Sequence, residues 1–172
     1  MRARYPGGRY LLDTCCLIKL LVPERGRAVG PINELFRQGK MSSTVRVLVG
    51  AWTVVEALGV LKAKRHPKRP DRIDQAQYLF AASSLIQLTR TRQLLVFDPH
   101  MSQGRLNRVI AEANTAGVDV LDALQLELMR RLGVSARRSR TVLVTTDGGL
   151  RAAACERRIP VWDPEHEPLP AV

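Results

Sequence analysis

Four carboxylates in this 172-residue chain sit where a carboxylate could do chemistry as well as carry charge. Asp13 closes the apolar run Tyr10-Leu-Leu, and Asp147 closes Thr141-Val-Leu-Val-Thr-Thr. An acid at the carboxyl end of a buried parallel strand lies where open α/β sheets bind their ligands. The competing reading for each is a helix N-cap or turn residue that only accepts backbone N–H groups. Glu56 lies within Thr44–Leu61, whose one other charge is Arg46, and on a helix it stacks between Trp52 and Val60. A carboxylate among apolar neighbours is costly unless paired or metal-bound, and a buried Glu56–Arg46 pair is the alternative to a functional role. Asp122 stands in the first turn of a helix whose apolar stripe is Leu121, Leu124, Leu128 and Leu132. Asp119, three residues earlier, reads as an N-cap, and Asp122 as a first-turn acid favoured by the helix dipole.

Each bland reading stands when taken singly and weakens when the four are combined. Two acids close parallel strands, and two others ride helices that can face the same sheet edge. Carboxylates gathered in this way repel one another and take up protons. A divalent cation removes that conflict, and an all-oxygen donor set selects a hard one, Mg²⁺ or Mn²⁺. Such an ion lowers the pKa of bound water and stabilises charge on a phosphoryl oxygen. The chain carries 27 Lys and Arg against 16 Asp and Glu, a formal charge of +11. An excess that large and Arg-rich points first to a nucleic acid, then to an anionic membrane surface or an acidic protein. A basic surface beside an acidic metal pocket is what phosphodiester hydrolysis requires.

These acids must be positioned by ordered elements. At 172 residues and 45% hydrophobic, the chain suits one domain over 1–172 with a real core. Aromatics make up only 5%, so that core is aliphatic. Short apolar runs alternate with helical stretches, the pattern of a parallel sheet covered by helices on both faces. Strands are expected near Arg9–Asp13, Thr44–Val49, Leu94–Phe97, Thr141–Thr145 and Val161-Trp162. Helices are expected from about Cys15 through Leu21, with Pro23 just past the end, and over Ile32–Gln38 (with Gly39 as C-cap), Thr53–Lys64 and Asp71–Thr91. Further helices are expected over Ser102–Ala116, Val120–Leu132 (stopping at Gly133) and Gly149–Arg157. The core spans about 9–162, and 163–172 reads as a loose, solvated tail that includes Asp163, Glu165 and Glu167.

With the acids in place, the sequence resembles PIN domains, especially VapC-type toxins. Tyr10-Leu-Leu-Asp13-Thr14 looks like the family's opening motif and Val54-Val-Glu56-Ala-Leu like its second. Leu121-Asp122-Ala-Leu-Gln-Leu looks like the third and Leu143-Val-Thr-Thr-Asp147-Gly-Gly-Leu like the fourth. The resemblance runs from about Arg9 to Trp162 and implies a three-layer α/β/α fold with a central parallel sheet of about five strands. It implies Mg²⁺-dependent cleavage of single-stranded RNA, with Mn²⁺ able to substitute. It also implies a homodimer and an antitoxin partner. Asp13, Glu56, Asp122 and Asp147 carry over as metal ligands, and Thr14 and Thr146 as hydroxyls that position an acid or a water. Cys15 and Glu127 depart from the pattern, standing where small residues are commoner.

Other features bound the reading. Three cysteines, Cys15, Cys16 and Cys155, form neither a disulfide framework nor a zinc motif, which fits a reduced cytoplasmic setting. The run Tyr10–Val22 is broken by Asp13 and Lys19 and reads as neither signal peptide nor membrane span. No GxxxxGK[ST] loop is present, and Asp13-Thr-Cys lacks the Asp-x-Asp of haloacid-dehalogenase-like phosphatases. The basic loop with Lys62, Lys64, Arg65, Lys68 and Arg69 could grip RNA or simply be solvated. Arg137, Arg138 and Arg140 read as plain surface, and His66, His100 and His166 as surface or loop. Trp52 and Trp162 read as packing residues. Two alternatives to a ribonuclease remain open: a non-catalytic RNA- or partner-binding module on the same fold, and a structure-specific DNA nuclease.

Overall fold

A computed structural model describes residues 8–22, 28–42, 44–98, 100–135 and 141–169. Pro23, Arg137, Arg138, Arg140 and the last three residues lie outside the described residues. The elements run β1 (Arg9–Leu12), α1 (Thr14–Leu21), α2 (Val29–Met41), β2 (Arg46–Gly50), α3 (Ala51–Ala63) and α4 (Gln75–Arg90). They continue with β3 (Leu95–Phe97), α5 (Gln103–Ala116), α6 (Val120–Ser135), β4 (Thr141–Val144), α7 (Gly148–Glu156) and β5 (Val161–Trp162). The five strands form one all-parallel sheet in the order β3-β2-β1-β4-β5.

The pleat divides each central strand between two cores. Tyr10 and Leu12 of β1, Val47 and Val49 of β2 and Val142 and Val144 of β4 face α1 to α4. Leu11, Leu48 and Leu143 face α6 and α7, and α5 packs outside on α6. The result is a three-layer α/β/α arrangement in which both sheet faces are covered, as an all-parallel sheet demands. Each fully buried Leu or Val contributes about 1.5–3 kcal/mol over its exposed state. Among the described residues no helix is long and apolar enough to cross a membrane.

Several boundaries differ from the sequence expectation. Helix α2 is 13 residues long and carries Gly39 in its interior, so Gly39 is not a C-cap. Its Ile32, Leu35 and Phe36 are buried, and that packing overrides the glycine's poor propensity. Helix α6 passes through Gly133 to Ser135. Helix α4 begins four residues later than expected, because Asp74 and Gln77 form a capping box that sets its start. By contrast, α5 does end at Gly117, in left-handed backbone with φ 63°. Trp162 is buried against Tyr10, but Trp52 is 47% exposed and is not a core residue.

Residues 163–167, after β5, are not part of a loose tail. Asp163 is 2% exposed; it accepts from Arg151, from the Glu165 amide at 3.0 Å and pairs with His166 Nδ1 at 2.8 Å. Trp162 Nε1 donates to the Glu167 carbonyl, and Lys19 of α1 pairs with Glu165. These bonds fold residues 163–167 back onto the sheet edge. The run of acids and prolines hides this from a composition reading.

Candidate functional site

Parallel strands β1, β2 and β4 end on one edge, and the helices α1, α3 and α7 that follow them start there. This geometry collects the acids. Asp13 directly follows β1, is 6% exposed and caps α1, accepting from the Thr14 amide at 2.6 Å. Its own amide donates to the Val144 carbonyl of β4 at 3.0 Å, which ties the two strand ends together. Asp147 is exposed and caps α7 through the Leu150 amide at 2.8 Å. The capping alternatives are therefore real, and they coexist with placement at the ligand-binding edge. Glu56 lies in the second turn of α3, partly buried, and accepts from Thr14 Oγ1. Arg46 is exposed at the start of β2, at the other end of that strand, so the Glu56–Arg46 pair does not form. The apolar company of Glu56 is itself half-open: Trp52 and Val55 are exposed on the same helix.

Asp122 lies in the first turn of α6, behind an Asp119 cap whose Oδ1 accepts the Asp122 amide at 2.8 Å. Its carboxyl pKa is pushed up to about 7 by burial first, then by the charges of Asp119, Asp147, Glu56 and Cys15. Asp147, Glu56 and Asp122 thus share one electrostatic field although they come from α7, α3 and α6. Asp13 is raised well above the ordinary carboxylate range, chiefly by burial and then by Cys15 beside it.

Two contacts that position the acids were not read from the sequence. Thr145 is fully buried; its Oγ1 donates to Asp13 Oδ2 at 2.9 Å and accepts from the Asp147 amide at 3.0 Å. One hydroxyl therefore orients both strand-end acids. Its neighbour Thr146, singled out by the motif, meets Lys19 Nζ at 3.0 Å and Cys15 Sγ at 3.3 Å instead. Thr14 does position an acid, Glu56. The second contact is Gln125 Nε2 to Thr53 Oγ1 at 2.5 Å, buried between α6 and α3. It fixes the helix of Asp122 against the helix of Glu56. A buried Gln and Thr carry no motif of their own, but both fall on the inward faces of their helices. Cys15 Sγ lies 2.9 Å from Asp13 Oδ2 and so touches the strand-end acid.

Among the described residues no three His, Cys, Asp or Glu side chains converge closely enough to enclose an ion. The donors are carboxylates grouped in one field and spread over the edge. That chemistry fits a hydrated hard cation bound directly by one or two carboxylates, because Mg²⁺ surrenders its waters reluctantly. It does not fit zinc, which takes a closed tetrahedral set. The basic loop stands elsewhere. It follows the far end of α3, about 20 Å along the helix axis from Gly50, and Lys64 and Arg69 are both paired with Asp71.

No protein-family model matches this chain, and no curated protein matches it. Among solved structures it is similar to a crystal structure of PAE2754 from Pyrobaculum aerophilum, with 20% identity and a TM-score of 0.53. That similarity covers 86% of this chain and 85% of the other. It concerns the fold, which two independent sequences share over nearly their whole length.

Proposed function

We propose that this chain is a Mg²⁺-dependent endoribonuclease, with Mn²⁺ able to substitute, and the toxin of a toxin–antitoxin pair. The observation that carries the reading is the gathering of acids at one sheet edge: Asp13 and Asp147 close neighbouring parallel strands and share the Thr145 hydroxyl, and Thr14, next to Asp13, holds Glu56. Glu56 of α3, Asp122 of α6 and Asp147 ahead of α7 lie at the carboxyl edge of a parallel sheet beside Asp13 at the end of β1, and Asp122 is raised by burial first and then by Asp119, Asp147 and Glu56. Repulsion of that kind is a standing cost which a cation relieves. The motif order resembling PIN domains supports the same assignment.

One or two of Asp13, Glu56, Asp122 and Asp147 would bind a hydrated ion directly and the others through its waters; when bound, the ion would supply an activated water and charge neutralisation at the scissile phosphate. Thr145 keeps Asp13 and Asp147 in register, and the Thr14 hydroxyl holds the Glu56 carboxylate. The protein's positive charge draws an RNA strand toward it. The exposed apolar residues Trp52 and Val55 of α3 and Leu79 and Phe80 of α4 suit a protein partner, either an antitoxin segment or a second copy. Three free cysteines suit a reducing cytoplasm.

The test is cleavage of total RNA and of labelled single-stranded DNA, with Mg²⁺ or Mn²⁺, with EDTA, and with Asp13→Ala and Asp122→Asn proteins. Discrete RNA fragments that require metal and vanish in both variants are expected, with DNA left intact. RNA binding at wild-type affinity with no cutting in any condition would replace the enzyme by a binding module. Cutting of DNA in preference to RNA would make it a DNA nuclease.

A further inference from the structure

A cavity of about 740 Å³ lies away from the acids. Thr141 at the start of β4 and Pro160 just before β5 line it, so it lies at the sheet edge opposite Asp13 and Asp147. Along β4 the two edges are roughly 13 Å apart. Its volume falls within the range of small-molecule sites, which pair an apolar lining with a few convergent polar groups.

Both components are present. Ala111, Leu126, Met129 and Ile159 supply apolar walls. Arg108, Arg130, Arg157 and Arg158 supply guanidinium groups, set against Glu112 and Glu127. Those two glutamates hold three of the four arginines in place. Glu127, 8% exposed, takes Arg130 at 2.8 Å and Arg108 at 3.6 Å, and Glu112 takes Arg157. Arg158 is exposed, and no carboxylate among the described residues engages it. It occupies left-handed backbone, φ 56°, at the end of α7, where the Ile159 amide bonds the Ala154 carbonyl. A helix end of that form takes glycine by preference. Thr141 Oγ1 is buried, with no hydrogen-bond partner among the described residues. A preorganised guanidinium cluster with one free member suits phosphate, which it can grip with paired N–H donors.

We propose that this cavity binds an organic phosphate of mononucleotide size, its phosphate on Arg158 and the adjoining arginines and its apolar ring against Met129 and Ile159. This site shares no residue with the acidic edge, so its test is independent of the nuclease reading. The probes are 5′-AMP, adenosine, inorganic phosphate and a short oligoribonucleotide, titrated by calorimetry into the full chain in EDTA. AMP is expected to bind at least tenfold tighter than adenosine or phosphate. In Arg158→Gly protein AMP should bind at least tenfold more weakly. Because glycine accepts φ 56° without strain, that variant should melt no lower than wild type, which separates lost binding from lost folding. Three results overturn the proposal: no saturable binding at millimolar AMP; AMP binding that survives Arg158→Gly and disappears in Asp122→Asn; or Arg158-dependent binding of the oligoribonucleotide alone, which assigns the arginines to a strand backbone.

Discussion

A carboxyl that holds its proton to about pH 7 makes the folded protein's stability depend on pH, and Asp122 is such a group. The unfolded chain releases that proton near 3.8. Between about pH 4 and 7 the folded state therefore binds a proton that the unfolded state has lost, and stability falls as pH rises through that window. Above pH 7 the cost is fully present. Asp122→Asn removes it, so the variant should melt above wild type at pH 8 and level with it at pH 4. The carboxyl is half-buried, which discounts the gain to about 1 kcal/mol, or roughly 2–4 °C for a domain of this size. Mg²⁺ should raise the wild-type melting temperature at pH 8 and do little at pH 5, because protonated ligands bind metal poorly. Equal melting curves at both pH values would remove the repulsive field on which the metal reading rests. Thr145 supports a second expectation at this scale. Thr145→Val keeps the shape, but it takes the hydroxyl from Asp13 and the acceptor from the Asp147 amide. Stability should fall by about 1–2 kcal/mol, and metal-dependent RNA cleavage by on the order of 10-fold or more, as for outer partners of metal ligands. Full activity in Thr145→Val would mean that the acids hold their positions without it. The acids themselves could be read from the sequence, because a charge in an apolar run stands out. Thr145 could not, because a buried hydroxyl declares itself only through what it touches.

The elements were legible where local chemistry agrees with packing. The apolar runs of β1, β4 and β5 and the Gly117 stop of α5 are of this kind. They were misread where packing overrules a local signal, as at Gly39 inside α2 and Gly133 inside α6. The fold-back of residues 163–167 was illegible because its ties run to distant Lys19 and Arg151. One glycine has a strict steric role. Gly50 ends β2 and begins α3, and a Cβ there would meet Leu128 Cδ1 at 2.8 Å and Thr53 Oγ1 at 3.2 Å. Leu128 is fully buried, so it has little room to withdraw. Gly50→Ala should force α6 from α3, costing about 1–3 kcal/mol and disturbing the Thr53–Gln125 bond that sets Glu56 against Asp122. Both melting temperature and cleavage should drop. A Gly50→Ala protein with wild-type stability would show that the two helices have slack at this crossing.

At the scale of the whole molecule, the charge of +11 and the acidic edge pull in opposite directions. On the proposed function, RNA is attracted by the first and tolerated by the second, so affinity should come mainly from phosphate contacts and fall steeply with salt. For single strands log K falls by about 0.7 per phosphate neutralised against log salt. A footprint of roughly five phosphates would then give a slope of about −3.5, measurable by fluorescence anisotropy in EDTA, where no cutting occurs. The basic loop after α3 offers a control within the same measurement. Lys62 and Lys68 are exposed, but the loop lies at the far end of α3, and its Lys64 and Arg69 are already paired with Asp71. Replacing Lys62 and Lys68 by Gln should leave both slope and cleavage near wild type. A slope shallower by about 0.7 to 1.4 in that double variant would place the loop on the RNA path, and the strand would then have to run along the length of α3 from the acids to Lys68. A slope near zero in the wild-type protein would show that the positive charge is not what brings RNA to this edge.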